Sequence, residues 1–526
     1  MKIAIAQLNY TIGDIDGNAS KIIDSINKAK AQRADLVIFA EQAVSGTPAF
    51  DLLRKTTFLE LCEDALVEIA SCCDGIAAIV GLPILTREGT ISAAALIQDR
   101  KVLRYVGKKY ITARREMGFL VPSKGFEYAT IKGHKCAIIV GDDLSREHDF
   151  DKSVETVISI NARKYGRGTM TYRYEMMRHL SFVEGKNLVL VNQVGGSTDI
   201  VYDGTSGAFN NRGELVLMMK QFEEDFQIFD TKAQNPPVGV PSTYNDRTRM
   251  VYQAARCGLR DFFLKNGYKK ACIGLSGGID SAVVACLAAD ALGRQNIRAL
   301  LLPSQFSSDH SVEDAKKLAE NLGIEYNVIP ITEIYTSVVN TLKPVIGGRE
   351  FDATEENIQT RIRTVLLMAV QNKTDYILLN SSNKSENALG LCTLYGDTAG
   401  AFSPTGDLYK SEMYDVARYI NRTFGNVIPE NILDKEPSSE LHPGQKDSDI
   451  LPPYEVVDAI LLRMIEEGQH REEIVNAGFD SEVVEKIHCM IMRNEKKRYQ
   501  FPPVLRLSMC SFGHERLMPL TNKYGD

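Results

Sequence analysis

Two periodicities alternate along the chain. Short apolar runs at Lys2 to Leu8, Asp35 to Ala40, Ile76 to Val80, Cys136 to Val140 and Leu188 to Asn192 predict strands, while Ala19 to Ala34 sets Ile22, Ile23, Ile26 and Ala29 on one helical face. This alternation predicts a layered α/β domain over residues 1–230. Between Asp230 and Met250 the periodicity stops and three prolines appear, so 231–250 is expected to be an extended linker. Beyond it the pattern resumes: a helix over Val251 to Asn266, strands at Ala271 to Gly274, Arg298 to Leu302, Glu325 to Ile329 and Tyr376 to Asn380, and helices after Ser311 and from Glu355 to about Asn372. Residues 251–526 are thus predicted to form a doubly wound parallel sheet, with ligands at the carboxyl ends of its strands. No internal repeat interrupts either half.

Composition narrows the class without choosing a function. A chain of 526 residues with 44% hydrophobic and 25% charged positions has ample core for two or more domains. The net charge of −7 gives no reason to expect nucleic acid or an anionic membrane as partner. Ten scattered cysteines without a CxxC pair read as reduced thiols, and the eight dispersed histidines indicate no zinc site. The first residues look like a strand rather than a signal peptide, no run reaches membrane-spanning length, and the cytoplasm is the expected compartment.

The chemistry concentrates in ACIGLSGGIDS, Ala271 to Ser281. An apolar strand ends at Ser276-Gly277-Gly278, and a helical pattern opens at Ser281. Adjacent glycines let backbone N–H groups converge on one point, the following helix aims its positive end there, and Ser276 and Ser281 add hydroxyls. Asp280 is suited to hold the magnesium that accompanies a polyphosphate. Without a GxxxxGK[ST] lysine, this is no γ-phosphate transfer loop. It resembles the pyrophosphate loop of the ATP-pyrophosphatase superfamily, whose members adenylate an oxygen and then displace AMP with a nitrogen or sulfur nucleophile.

Further motifs extend the resemblance. LPSQFSSDHS at 302–311, EENIQTRIR at 355–363, NKSENALG at 383–390, TLYGDTAG at 393–400, DLYKSEMYDVARYIN at 407–421, PSSEL at 437–441, QKDSDILPPYEVVD at 445–458 and NEKKRYQFPP at 494–503 resemble NAD synthetase over essentially all of 251–526. A carboxylate repels nucleophiles, so its amidation first requires transfer of its oxygen to the α-phosphate of ATP. The resemblance implies ATP and nicotinate adenine dinucleotide as substrates, with Asp280 and Glu386 as magnesium carboxylates and Lys410 on the phosphates. It further implies that Ser276, Gly277, Gly278, Ser281, Leu302, Ser381 and Ser438 contact ATP. Asn357, Glu386, Leu391, Cys392, Thr393, Leu394, Asp397 and Lys497 would bind the nicotinate dinucleotide. Two positions depart from the family: Ser381-Ser382 replaces Thr-Gly, and Gln305 stands where an arginine is common.

The first half resembles the nitrilase superfamily, the glutamine amidohydrolase half of two-domain NAD synthetases, and an αββα sandwich is implied. That family uses a cysteine thiolate activated by glutamate, with a lysine stabilising the oxyanion. FAEQAVSG supplies Glu41, GKKYITA supplies Lys108, and NQVGGSTDIVYDGTS at 192–206 also fits. The nucleophile position, however, is Gly141 in AIIVGDDLS. Cys136 lies five residues away, about 16 Å along a strand and on its other face. The family's second glutamate aligns with Phe119, leaving Glu116 as a shifted candidate. Free ammonia is therefore the expected nitrogen donor. Four alternatives stand beside this reading: glutamine used through a partner or another nucleophile, a different adenylating enzyme, a first half that senses a metabolite, and a non-catalytic nucleotide-binding regulator. The family's habit implies a homo-oligomer.

Overall fold

The computed structural model describes residues 1–146, 149–233, 235–244 and 246–524, and it divides into two compact units, Met1–Asn245 and Asp246–Asp526. No helix among the described residues is long and apolar enough to cross a membrane.

The first unit is built on two six-stranded sheets. One runs in the order Asp225–Asp230, Lys2–Gln7, Leu36–Ile38, Ala77–Leu85, Thr90–Gln98, Lys101–Gly107; the other in the order Leu215–Met218, Gly207–Phe209, Asn187–Asn192, Thr156–Asn161, His134–Val140, Glu127–Ile131. Three parallel strands lie within each sheet, paired Ile3 to Leu36 to Ala77 and Cys136 to Thr156 to Asn187, and antiparallel strands flank them. These strands read as continuous apolar runs because both faces are buried. Ile3, Ile5, Leu36 and Ile38 of one sheet share a core with Ile138, Ile158, Ile160 and Val189 of the other. Helices Ile15–Ala31 and Thr56–Ser71 cover the outer face of the first sheet, and Thr169–Glu184 covers that of the second. The result is an αββα sandwich.

The second unit has a four-stranded parallel sheet ordered Glu325–Val328, Ile297–Leu301, Lys270–Gly274, Tyr376–Leu378. Helix Ile279–Leu292 buries Ile279 and every residue from Ser281 to Ala288, as a central crossover helix must, and leaves Asp280 and Asp290 partly exposed. Helix Ala353–Lys373 lays Leu367 and Met368 against Cys272 and Leu378. After the sheet, Lys384–Leu389, Tyr454–Ile465 and Ser481–Arg493 close a second, helical core, and Lys410–Phe424 packs beside it.

Helix starts differ from the sequence pattern in a consistent way. The helix expected from Val251 begins at Arg247, because the Asp246 side chain accepts the Arg249 N–H at 3.0 Å and caps it. The interval 231–250 therefore contains a helical turn, and it also carries a short 3-10 segment, Ser242–Tyr244. Likewise the helix expected after Ser311 begins at Asp309, capped by Ser308, and the one expected from Ser281 begins at Ile279. Polar caps and glycines precede the apolar stripe, so periodicity alone places each start late.

One buried ion pair fastens helix Thr169–Glu184 to the turn after Ile200–Asp203. Arg173 and Asp203 are 1% and 0% exposed, and the guanidinium donates to both carboxylate oxygens, at 3.2 and 2.9 Å. Removing one partner of such a pair strands the other charge in the core. Arg173→Ala is expected to destabilise the first unit by about 3–5 kcal/mol, measured from the urea unfolding transition of the full chain.

Candidate active site

The SGGIDS loop sits where strand Lys270–Gly274 passes into helix Ile279–Leu292. Gly277 has φ of +80°, and a Cβ there would lie 2.2 Å from the Ser311 carbonyl oxygen, so only glycine fits the turn. The loop is laced internally: the Ser276 N–H donates to Ser281 Oγ at 3.3 Å, the Gly278 N–H to Ser276 Oγ at 3.2 Å, and Ser281 Oγ donates to the Gly278 carbonyl at 3.1 Å.

Above the loop lies a cavity of about 640 Å³ at the carboxyl ends of the parallel strands. Ser276, Gly278, Asp280, Ser281, Leu302, Ser381 and Ser438 are in its wall. So are Glu386, Leu391, Cys392, Asp397 and Lys410. Ser438 Oγ donates to the Gln445 carbonyl at 2.6 Å, closing its loop over this side. Gly277 turns away toward Ser311, and Asn357, Thr393, Leu394 and Lys497 stand behind the wall. Thr393 Oγ1 donates to Asn357 Oδ1 at 2.5 Å, while Lys497 Nζ donates to the carbonyls of Gly390 and Cys392 at 2.7 and 2.8 Å. Asn357 and Lys497 thereby hold the Gly390–Leu394 segment, to which Thr393 and Leu394 belong.

The charged centre is tight. Lys410 Nζ lies 2.5 Å from Asp280 Oδ2 and 3.4 Å from Glu386 Oε1, and Asn383 Nδ2 donates to Asp280 Oδ1 at 2.9 Å. Burial alone would pull the Lys410 ammonium down, but the charges of Asp280 and Glu386 more than reverse it. Burial, reinforced by the Asp280 charge, pushes the Glu386 carboxyl well above its usual range. Carboxyl oxygens of Asp280 and Glu386 thus converge on one ammonium, a hard-oxygen donor set. Such a set fits a magnesium ion, which Asp280 and Glu386 would hold.

The sequence reading missed several wall residues. Arg363 donates from Nε to the Leu302 carbonyl at 3.0 Å, and burial lowers its guanidinium to about 10. Lys435 donates to Ser311 Oγ at 2.8 Å, and burial pulls its ammonium down. Both are cations with little carboxylate compensation in a cavity suited to anions. Arg363 lies within EENIQTRIR, but nothing in that spacing separates it from Arg361, which instead donates to the Leu394 carbonyl. Among the described residues the histidines, dispersed in sequence, contribute to one potential ligand group, Glu485, His488 and Cys489, with ligand atoms within 4.8 Å of one another; the Arg471 guanidinium already pairs with Glu485 there.

In the first unit, Glu41 follows strand Leu36–Ile38, Lys108 follows Lys101–Gly107, and Gly141 follows His134–Val140. Lys108 Nζ is 3.2 Å from Glu41 Oε1 and 2.8 Å from Glu116 Oε2, and Ser92 Oγ also donates to Glu41 at 2.8 Å. The second glutamate of this centre is therefore Glu116 and not the Phe119 position. A turn in which the Glu116 and Leu120 N–H groups bond to the carbonyls of Ala113 and Glu116 folds Glu116 back onto the lysine. Phe119 instead packs its ring 5.8 Å from that of Phe50. Burial would lower the Lys108 ammonium, yet Glu41, Glu116 and Asp142 hold it above its ordinary value. The Asp143 carboxylate takes the N–H groups of Lys109 and Tyr110 at 2.8 Å each, tying the lysine segment to the turn at Gly141.

Gly141 occupies the point at which these groups converge. Its φ is +59°, and a Cβ on it would lie 2.6 Å from Glu41 Oε2 and 2.9 Å from Lys108 Nζ. A side chain here would project between base and lysine, as a nucleophile must; the chain has none to project. Cys136 packs with Ile138 and Val140 in the core between the sheets.

Comparison with known proteins agrees with this geometry. Residues 251–501 match the NAD synthase family model. The glutamine-dependent NAD(+) synthetase of Acinetobacter baylyi is 37% identical, over 99% of this chain and 98% of its own. That of Aquifex aeolicus is 36% identical, with both chains covered in full. The chain belongs to the two-domain NAD synthetase family. Among solved structures, a glutamine-dependent NAD+ synthetase from Acinetobacter baumannii, in complex with ADP, superposes with a TM-score of 0.76 at 33% identity, covering 99% of this chain and 98% of its own. A glutamine-dependent NAD(+) synthetase from Cytophaga hutchinsonii, 19% identical, shares the fold with a TM-score of 0.87 over 99% of this chain and 98% of its own.

Two outcomes follow for an NAD synthetase with these sites. Gly277→Ala forces a strained turn against the Ser311 carbonyl, a cost of about 1–3 kcal/mol; by isothermal calorimetry, ATP affinity should fall roughly 10- to 100-fold. Burial raises the Cys136 thiol to about 12, so at neutral pH it carries almost no thiolate. Iodoacetamide should leave Cys136 unmodified in the folded protein, as read by peptide mass spectrometry.

Proposed function

We propose that this NAD synthetase amidates nicotinate adenine dinucleotide with free ammonia, at the cavity of its second unit. The observation that carries the choice of donor is Gly141. Glutamine hydrolysis in a nitrilase-type site needs a thiolate to attack the carboxamide carbon and form a thioester. Here the base, the lysine and the second glutamate surround a Cα without a side chain.

In the second unit the chain's residues have separable tasks. SGGIDS would receive the pyrophosphate, with the Gly278 amide and the Ser276 and Ser281 hydroxyls at the helix amino terminus. Asp280 and Glu386 would hold magnesium, which supplies neutralisation of phosphate charge when bound. Lys410 would meet the same phosphates as a point charge. Leu302, Ser381 and Ser438 would line the nucleoside side. Leu391, Cys392 and Asp397 would face the dinucleotide, beside Thr393 and Leu394 on a segment held by Asn357 and Lys497. The nicotinate oxygen then attacks the α-phosphorus and pyrophosphate departs; ammonia adds to the adenylated carbonyl, and AMP leaves with the oxygen.

A second reading has a specific observation in its favour: the full-length relatives are named glutamine-dependent. It would require a nucleophile other than residue 141, or a separate glutaminase. The proposal extends to an assembly of several copies, supported by the exposed Tyr172, Phe182 and Val183 on helix Thr169–Glu184. It also extends to a reducing, cytoplasmic setting, supported by ten unpaired cysteines.

Purified chain supplied with ATP, magnesium and the nicotinate dinucleotide should form NAD with ammonium chloride, and no more with glutamine than with no nitrogen source. Chelating magnesium with EDTA should abolish the reaction. Glutamine-supported NAD, with glutamate released in equal amount, would reject the ammonia reading.

A further inference from the structure

The charged centre is assembled from two short-range helix starts, and a third helix determines their spacing. Glu386 lies in the first turn of helix Lys384–Leu389, and Lys410 is the first residue of helix Lys410–Phe424. Between them stands Asp458, from helix Tyr454–Ile465, only 6% exposed. Its carboxylate is shared: Ser385 Oγ donates to Oδ1 at 2.5 Å, and the Ser411 N–H donates to Oδ2 at 2.8 Å. Ser385 Oγ in turn accepts the Lys410 N–H at 2.9 Å.

These bonds form a closed circuit. Lys410 and Ser411 supply two of the N–H groups that the start of a helix leaves without backbone partners, and the positive helix end favours a carboxylate there. Ser385 is the residue beside Glu386. The circuit runs from Glu386 through Ser385 and Asp458 to Ser411 and Lys410, and closes where the Lys410 ammonium meets Glu386. Neither Ser385 nor Asp458 is in the cavity wall. We infer that Asp458 is a positioning residue, which sets the separation of Glu386 and Lys410 and so the grip on magnesium and the ATP phosphates. The inference rests on the function proposed above for those two side chains.

The test pairs two small substitutions. Asp458→Asn keeps one acceptor, so it can no longer accept from both Ser385 Oγ and the Ser411 N–H and loses the negative charge at the helix start; Ser385→Ala removes the bridging hydroxyl without touching the carboxylate. Binding of α,β-methylene-ATP in magnesium is measured by calorimetry, which needs no turnover. Loss of a residue that orients a ligand-holding side chain typically weakens binding about 10- to 100-fold, and each variant should fall in that range. The double variant should be no weaker than the worse single, because both changes break one circuit. In ammonium-dependent NAD formation, KM for ATP should rise while KM for ammonium stays unchanged. Unaltered nucleotide affinity in Ser385→Ala and Asp458→Asn, with only a lower melting temperature, would make Asp458 a packing residue and overturn the inference. Should Asp458→Asn fail to fold, Ser385→Ala decides alone. Wild-type protein that makes no NAD would sink the proposed function, while the calorimetric comparison would still decide the role of Asp458.

Discussion

A nearly buried ammonium survives only where carboxylates face it, and the second unit is organised around satisfying Lys410. Asp280 arrives from the glycine loop, Glu386 from a helix 106 residues later, and Lys410 itself 24 residues beyond that. The attraction offsets the loss of hydration only because the geometry is close and the remaining lone pairs are occupied, as Asn383 does for Asp280. A loop, a capped helix start and a second helix start are thereby held to one point. The carboxyl oxygens of Asp280 and Glu386 converge at that point, which is why a hard dication suits it.

Much of this was legible in the sequence, and the legible part has a physical character. Strand, glycine turn and helix start are local, so ACIGLSGGIDS announces its own conformation; the apolar runs of both sheets do the same. What escaped notice was relational. Arg363 and Lys435 look like ordinary surface cations until the cavity closes around them. Asp458 sits in an amphipathic helix like many other acids, and its importance comes from Ser385 and Ser411, which are distant in sequence. Glu116 is hidden for a related reason: the turn at Ala113 to Leu120, and not a sequence spacing, brings its carboxylate back onto Lys108.

The first unit separates what a fold keeps from what a reaction requires. Glu41 and Glu116 are both buried against Lys108 around Gly141, and removing the lysine would strand their charges. The electrostatics are self-supporting without the nucleophile. Ser92 and Asp143 add bonds that fasten the same residues to the sandwich. The presence of such an ion cluster alone says nothing of turnover.

Lys384 adds a temporal dimension. Its ammonium is fully buried and is satisfied by Asp407, Glu466, Ser508 Oγ and the Cys510 carbonyl. The last two partners lie 124 and 126 residues downstream. During synthesis, the strand carrying SGGIDS and the start of the Glu386 helix leave the ribosome long before those partners exist. Contacts of such long range are slow to form and leave surfaces open meanwhile. Until then the lysine has only its carboxylate partners Asp407 and Glu466, and the helix start beside Glu386 lacks its last two bonds. A chain that stops before residue 508 lacks two of the four groups that hold the helix start carrying Glu386.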